Sequence, residues 1–250
     1  MANLNELCTK LRLPYIKENY KDLIKEAQMT DQSHKDFLEQ LLENEYLQKS
    51  EKATQTRIRS ARFPQKYFLL DFDKSVYDPK FIPEFQKLET LDFIKAKENI
   101  ILIGAAGAGK THYATALGIE AAMKGFSVLF TTVPNLVVEL REGMAKSQMT
   151  NFRKKFEKYN LVILDELGYF SFDKECGELL FNLISSRNNK GSIIVTSNLN
   201  FNEWGQTFKD TKVAGALVDR LCCRAHVLEL EREIGGRMQM QIDWLKANKK

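Results

Sequence analysis

Three glycines, a lysine and a threonine within GAAGAGKT, residues 104–111, are the groups in this chain best suited to chemistry. Their spacing matches the phosphate-loop pattern G-x-x-x-x-G-K-[ST]. The setting agrees, with an apolar strand-like run before it (Ile100, Ile101, Leu102, Ile103) and a helical one after it (Ala114, Leu117, Gly118, Ala121). A triphosphate needs several backbone N–H donors aimed at one point, and glycine lets the backbone fold that closely around it. Read this way, the backbone of Gly104, Ala105, Ala106, Gly107, Ala108 and Gly109 cradles phosphate oxygens. The start of the next helix adds unpaired N–H groups and a partial positive charge. Lys110 then reaches the β and γ oxygens, and the Thr111 hydroxyl ligates Mg²⁺. The expected chemistry is nucleotide binding.

LVILDE, residues 161–166, is the second such stretch. Four apolar residues predict a strand buried on both faces, with two carboxylates at its carboxyl end. Asp165 is placed to hold Mg²⁺ directly or through water, and Glu166 to orient or deprotonate an attacking water. The pair favours hydrolysis over storage of nucleotide. In SIIVTSN, residues 192–198, Asn198 closes another buried strand and could bond the water or the γ-phosphate, although a lone Asn there also suits an Asx turn. Arg220, in LVDRL, could bring a guanidinium to the charge that builds on transferring phosphoryl oxygens, or it could pair with Asp219 beside it. The residues alone leave those two options level.

Such groups need elements to hold them. Strand-like runs at 100–103, 128–131, 161–164, 193–196 and 227–230 alternate with helical segments such as 176–186, where Leu179, Leu180, Leu183 and Ile184 share a face. That alternation predicts an α/β fold, a parallel sheet covered by helices with ligands at the carboxyl ends of its strands. Residues 1–62 differ, being charged, almost free of glycine and helical in period. Leu4, Leu7 and Leu11 mark one helix, and Ile16, Tyr20, Leu23 and Ile24 a second after Pro14. Ser33 is placed to cap a third, with Phe37, Leu38, Leu41, Leu42 and Tyr46 on one face. Arg57, Arg59 and Arg62 end it as a basic strip or as an ordinary solvated helix end. Residues 63–97 read as a connector broken by Asp78-Pro79 and Pro83, and residues 98–250 as the nucleotide-binding domain.

Bulk composition narrows the class. A chain of 250 residues with 44% hydrophobic content can fill one large core or a core and a small module. No apolar run approaches the roughly 18 residues of a membrane span, and the opening MANLNELCTKLRL has no secretory pattern. Cys8, Cys176, Cys222 and Cys223 lack metal-ligand spacing, and His34, His112 and His226 are scattered, so a reducing, cytoplasmic setting without zinc is expected. The net charge of +4 permits nucleic-acid binding without requiring it. NNKGS, residues 188–192, lacks the Asp of a guanine-reading N-K-x-D, which disfavours a GTPase.

Taken in order, GAAGAGKT, LVILDELGYF, SIIVTSNLNFNEW and LVDRL closely resemble the IstB family, helper ATPases of insertion-sequence transposition. These are relatives of the helicase loader DnaC and the initiator DnaA within the AAA+ class. RIRSARFPQKYFLLDFD (57–73) and KENIILIG (97–104) look like the same family, and the likeness runs from about residue 11 to residue 237. The resemblance implies an AAA+ P-loop NTPase core with a five-stranded parallel sheet, preceded by a small N-terminal helical domain. It implies that residues 104–111 are the Walker A loop, Asp165 and Glu166 the Walker B pair, and Asn198 sensor 1. Arg220 becomes the arginine finger entering a neighbouring subunit's site, and Arg237 stands at sensor 2. Alanines at 106 and 108 replace the family's usual Pro and Thr, Gly235-Gly236 precede Arg237 in place of Ser-Tyr, and a cysteine follows the finger segment where a histidine is usual.

The resemblance also implies ATP and Mg²⁺ as cofactors, homo-oligomeric assembly on double-stranded DNA, and cooperation with the transposase of the same element. A helix pair expected over 134–159 carries Arg141, Lys146, Arg153, Lys154 and Lys155. Phosphate contact by such a set would be blind to sequence, so little target preference is expected; the same segment also suits a solvated amphipathic pair. The competing readings are a DnaC-like replicative helicase loader and a scaffold that uses ATP only to assemble. ARFP and the DELGY–NEW pairing favour transposition, and Asp165-Glu166 argues against the scaffold. Phe63 and Pro64 are candidates to pack on the adenine base.

Overall fold

Strands apolar on both faces must be covered on both, and the computed structural model meets that demand with a parallel sheet between two helical layers. It describes residues 3–169, 173–208 and 210–231. The chain divides into two units, Met1–Thr56 and Arg57–Lys250, and the division falls inside its third helix.

In the smaller unit, α1 (Leu4–Lys10), α2 (Pro14–Met29) and most of α3 (His34–Ser60) are found where the periodicity places them. Asn3 caps α1 by accepting from the Glu6 N–H at 3.1 Å, and Ser33 accepts from the Asp36 N–H at 3.2 Å as expected. Pro14 occupies the first turn of α2, where its missing N–H costs nothing. The core here is small: Cys8, Ile16 and Leu41 are buried, and the buried Glu45 carboxylate accepts from the Ile16 N–H at 3.0 Å. Of the expected α3 face, Leu38, Leu42 and Tyr46 are exposed.

The larger unit holds β1 (Asn99–Ile103), β2 (Val128–Thr132), β3 (Leu161–Leu167), β4 (Ser192–Ser197) and β5 (Ala225–Glu229), all parallel, in the order β2-β3-β4-β1-β5. Side chains alternate between faces. Ile100, Leu102, Ile163 and Ile194 pack on one face against α6 (Lys110–Met123). Ile101, Val162, Leu164 and Val195 pack on the other against α7 (Val133–Ala145), α9 (Lys174–Ser185) and α11 (Thr211–Cys222). On that side too are α8 (Met149–Glu157) and α10 (Trp204–Phe208), which bury Phe156 and Trp204.

Residues 63–97 are more than a connector. Three 3₁₀ turns lead into α4 (Ile82–Glu89) and α5 (Asp92–Ala96). Phe72, Tyr77 and Phe85 are buried; Phe72 and Phe85 meet Tyr113 of α6 ring to ring, and Tyr77 stacks on Phe72. The prolines expected to break structure start helical turns here, with Asp78 capping Lys80 at 2.9 Å and Pro83 in the first turn of α4. β5 begins two residues earlier than its apolar run, because Asn99 of β1 already pairs with Ala225.

One buried cation ties α8 and the turn after it to the start of β4. Arg187 is 1% exposed and donates to the carbonyls of Phe156, Tyr159 and Ser192 at 2.6, 2.8 and 3.2 Å. Burial pushes its pKa down to about 10. Gly191 makes room for it, since a Cβ there would lie 2.4 Å from the guanidinium. Arg187→Met keeps most of the volume and strands the carbonyls. It should lower the stability of the folded chain by on the order of 3 kcal/mol. Denaturant unfolding monitored by circular dichroism checks this, and an unchanged midpoint would mean that water replaces the guanidinium without loss.

Candidate functional site

Residues 104–109 link β1 to α6 with glycine backbones that other residues rarely adopt, φ +82° at Gly107 and +89° at Gly109. Close approach adds a second demand at Gly109, where a Cβ would lie 2.2 Å from the Tyr77 hydroxyl. That hydroxyl donates to the Ala108 carbonyl at 2.7 Å, so the buried aromatic cluster of 63–97 braces the loop from behind. Lys110 opens α6 and is buried, its ammonium donating to the Gly104 and Ala105 carbonyls at 2.6 and 2.9 Å. A cation is thereby held inside the ring of loop backbone.

The strand order β3-β4-β1 puts three expected groups at one end of the sheet. Asp165 is 4% exposed, and its Oδ1 accepts from the Thr111 hydroxyl at 2.9 Å and the Thr196 hydroxyl at 2.5 Å. Glu166 follows, half-buried, with its N–H donating to the Thr196 hydroxyl at 3.0 Å. The end of β4 touches the loop directly, the Gly104 N–H donating to the Ser197 carbonyl at 3.2 Å. Asn198, next in sequence, is exposed at this edge. Loop, acidic pair and Asn198 therefore lie at the carboxyl ends of β1, β3 and β4, the expected place for a ligand.

These residues fit a magnesium nucleotide on their own chemistry. The loop offers backbone donors and a lysine, and Thr111 with Asp165 offers two oxygens to a hard cation. No cluster of three or more His, Cys, Asp or Glu side chains suited to a metal occurs among the described residues. Mg²⁺ takes few protein ligands and completes its shell with water and phosphate, so the two oxygens of Thr111 and Asp165 are enough to hold it.

Other expected residues lie elsewhere. Arg220 is exposed in the last turn of α11 and makes no ion pair among the described residues, with Asp219 or any other group. It lines a small pocket with Lys97, Asn99, Asn188 and Arg224, at the amino ends of β1, β4 and β5, away from its own loop. Arg237 and the glycines before it lie outside the described residues. Phe63 packs against Phe130, and a Cβ on Gly118 of α6 would lie 2.8 Å from its ring, so it sits between helix and sheet. Pro64 is exposed. The ring stacked on the first turn of α6 is Tyr67, 4.2 Å from His112.

The five basic residues of 134–159 separate into two groups. Arg141 pairs with Asp173 and donates to the Cys176 sulfur, Lys146 pairs with Glu142, and Arg153 with Glu157. Lys154 and Lys155 are exposed and make no ion pair among the described residues. Arg57 and Arg62 are also engaged, with the Ala122 carbonyl and Glu139. Sequence reasoning missed Tyr77 and Thr196. No spacing links Tyr77 to a loop 27 residues later. For Thr196 a signal existed, a hydroxyl inside a buried strand that must find a partner.

No helix among the described residues is long and apolar enough to cross a membrane. The family model for IstB-like ATP binding proteins matches residues 6–241. A Geobacillus stearothermophilus protein, named for ATP binding and for insertion sequence IS5376, is 33% identical over 230 residues, 92% of each chain. Among solved structures, AMPPCP-bound DnaA from Aquifex aeolicus superposes with a TM-score of 0.59 at 19% identity, covering 75% of this chain and 57% of that one. The DnaC helicase loader gives 0.54 at 19% identity, covering 70% and 99%. Those two likenesses are of fold, an α/β core that in this chain has a five-stranded parallel sheet. With a phosphate loop, an acidic strand end and a match across nearly its whole length, the chain belongs to the IstB-like ATP-binding protein family.

Proposed function

We propose that this chain is a DNA-dependent ATPase that assembles as a homo-oligomer on double-stranded DNA in the cytoplasm and assists the transposase of its own insertion sequence. The observation that carries the reading is the Thr111–Asp165 hydrogen bond at 2.9 Å, which joins the loop that bears Lys110 to the strand end that bears Glu166. Lys110 exchanges its carbonyl partners for β and γ oxygens of ATP while the backbone of 104–109 donates to the phosphates. Thr111 and Asp165 hold Mg²⁺, which when bound supplies positive charge to the phosphate oxygens. Glu166 accepts a proton from the water whose oxygen attacks the γ-phosphorus, and the bond to the β–γ bridging oxygen breaks to leave ADP and phosphate. Asn198 orients that water at the edge of the site.

Arg220 completes the charge in trans. Its exposure, its lack of an ion-pair partner among the described residues and its place at the opposite end of the sheet all support delivery to a neighbouring subunit's site. Lys154 and Lys155, exposed on α8, are the proposed phosphate contacts with DNA. Arg141, Lys146 and Arg153 would join only by giving up their present carboxylate partners. Transposition draws support from the named relative of IS5376. Helicase loading draws on fold likeness alone.

Lys110→Ala should abolish ATP binding in calorimetry. Glu166→Gln should keep binding and lose at least about 100-fold in phosphate release. A wild-type chain that binds no adenine nucleotide would end the proposal. Mixing Arg220→Ala with Glu166→Gln should restore part of the ATPase rate, since each chain supplies what its neighbour lacks; no recovery in verified mixed assemblies would leave Arg220 a local residue. Replacing Lys154 and Lys155 by alanine should reduce the slope of log affinity for duplex DNA against log salt by about 2. Anisotropy titrations at several salt concentrations test this, and an unchanged slope would move the DNA contact elsewhere.

A further inference from the structure

The pairing of β3 with β4 is irregular where the chemistry sits. Leu161 faces Ser192 and the register holds to Leu164 opposite Val195, but Leu167 then pairs with Ser197. Three steps along β3 match two along β4, so Asp165-Glu166 carries one extra residue, a bulge. Glu166 there has φ +64°, a left-handed conformation unfavourable for a residue with a side chain. Strain of this kind persists only where the surroundings impose it.

Thr196 lies across from the bulge, 1% exposed. A threonine hydroxyl has one donor and two acceptor sites. Here the donor goes to Asp165 Oδ1 at 2.5 Å, and one acceptor site takes the Glu166 N–H at 3.0 Å. One atom thus fixes both the carboxylate of Asp165 and the strained backbone of Glu166. Downstream, the Ser197 hydroxyl donates to the Leu167 carbonyl at 2.7 Å and closes the bulge. Thr111 shares Asp165 Oδ1, and its hydroxyl can keep that bond through its hydrogen while a lone pair serves a cation, so it has two demands to meet. Thr196 faces no such competition, being buried behind the carboxylate on a neighbouring strand.

We infer that Thr196 is a positioning residue, a hydroxyl splint that keeps Asp165 aimed at Mg²⁺ and Glu166 aimed at water while Thr111 also serves the cation. The inference rests on the ATPase reading and adds a requirement to it: β4 must present a hydroxyl at this position, whatever Asn198 does.

The test compares Thr196→Val, which keeps the shape and loses the hydroxyl, with Thr196→Ser, which keeps the hydroxyl. Thr196→Val should lower kcat for ATP hydrolysis by about 10- to 100-fold with KM little changed, because a small misplacement of reacting groups costs that much. Thr196→Ser should stay within about threefold of wild type. Calorimetry gives a second readout: Mg²⁺ should tighten ATP binding to wild type and Thr196→Ser, and this gain should shrink in Thr196→Val while Mg²⁺-free binding is unchanged. A folded Thr196→Val with wild-type kcat and the full Mg²⁺ gain would overturn the inference. Should the valine variant not fold, Thr196→Ala takes its place, and serine and alanine variants that lose equally would refute a hydroxyl role. Wild type without ATP hydrolysis would sink the ATPase reading alone, since the Mg²⁺ effect on binding would still report on Thr196.

Discussion

A carboxyl group buried to 4% exposure, that of Asp165, is the constraint on which the site is built, because a polar group taken from water costs free energy unless it is hydrogen-bonded. Its two hydroxyl donors come from different places, Thr111 at the start of α6 and Thr196 on β4. Both are within reach because β4 lies between β3 and β1 in the sheet. Strand order, which is a matter of topology, thereby becomes a matter of charge. Any rearrangement that moved β4 from beside β3 would leave the carboxylate one donor short and Glu166 without the bond that holds its backbone.

The loop is braced from the other side by the segment before β1. Phe72, Tyr77, Phe85 and Tyr113 form a buried aromatic cluster, and the polar end of Tyr77 reaches through it to the Ala108 carbonyl. Burial also pushes the Tyr113 hydroxyl pKa up, as a phenol removed from water must be. The alanines at 106 and 108 are then understandable. Ala108 is itself buried, and the loop's shape comes from glycine torsions and Tyr77, not from a proline or threonine within it.

What could be read from the sequence was whatever repeats or alternates. Ile100 to Ile103 and Leu161 to Leu164 announce buried strands because both faces are apolar, and the acidic pair and Asn198 fall at strand ends as counting predicts. Residues 63–97 resisted because Phe72, Tyr77 and Phe85 follow no period, and they are buried by α6, which comes later in the chain. β5 was misplaced by two residues because it pairs on one side only and its first residues, Ala225 and His226, lack an apolar run. On α3 the stripe of Leu38, Leu42 and Tyr46 has helical spacing, yet spacing states which residues share a face and not whether that face is covered. The bulge at Asp165-Glu166 left no mark at all, since a one-residue register slip is a property of two strands and is written in neither.

Arg220 carries the same lesson to the next level. Within one chain it stands at the amino end of the sheet while the loop stands at the carboxyl end, and a side chain cannot span that length. Under the proposed function, the charge that a phosphoryl transfer needs must then come from a second copy, set head to tail on the first. Contacts of that kind are not self-complementary; they close into rings or continue as helical filaments, according to the rotation between copies. Hydrolysis would in turn report on assembly, because a chain without a neighbour has the loop, the metal ligands and the base but not the guanidinium. On that reading, DNA that gathered copies along one axis would raise their local concentration and so the rate. Dependence on DNA would follow from where one arginine sits, without any change in the site itself.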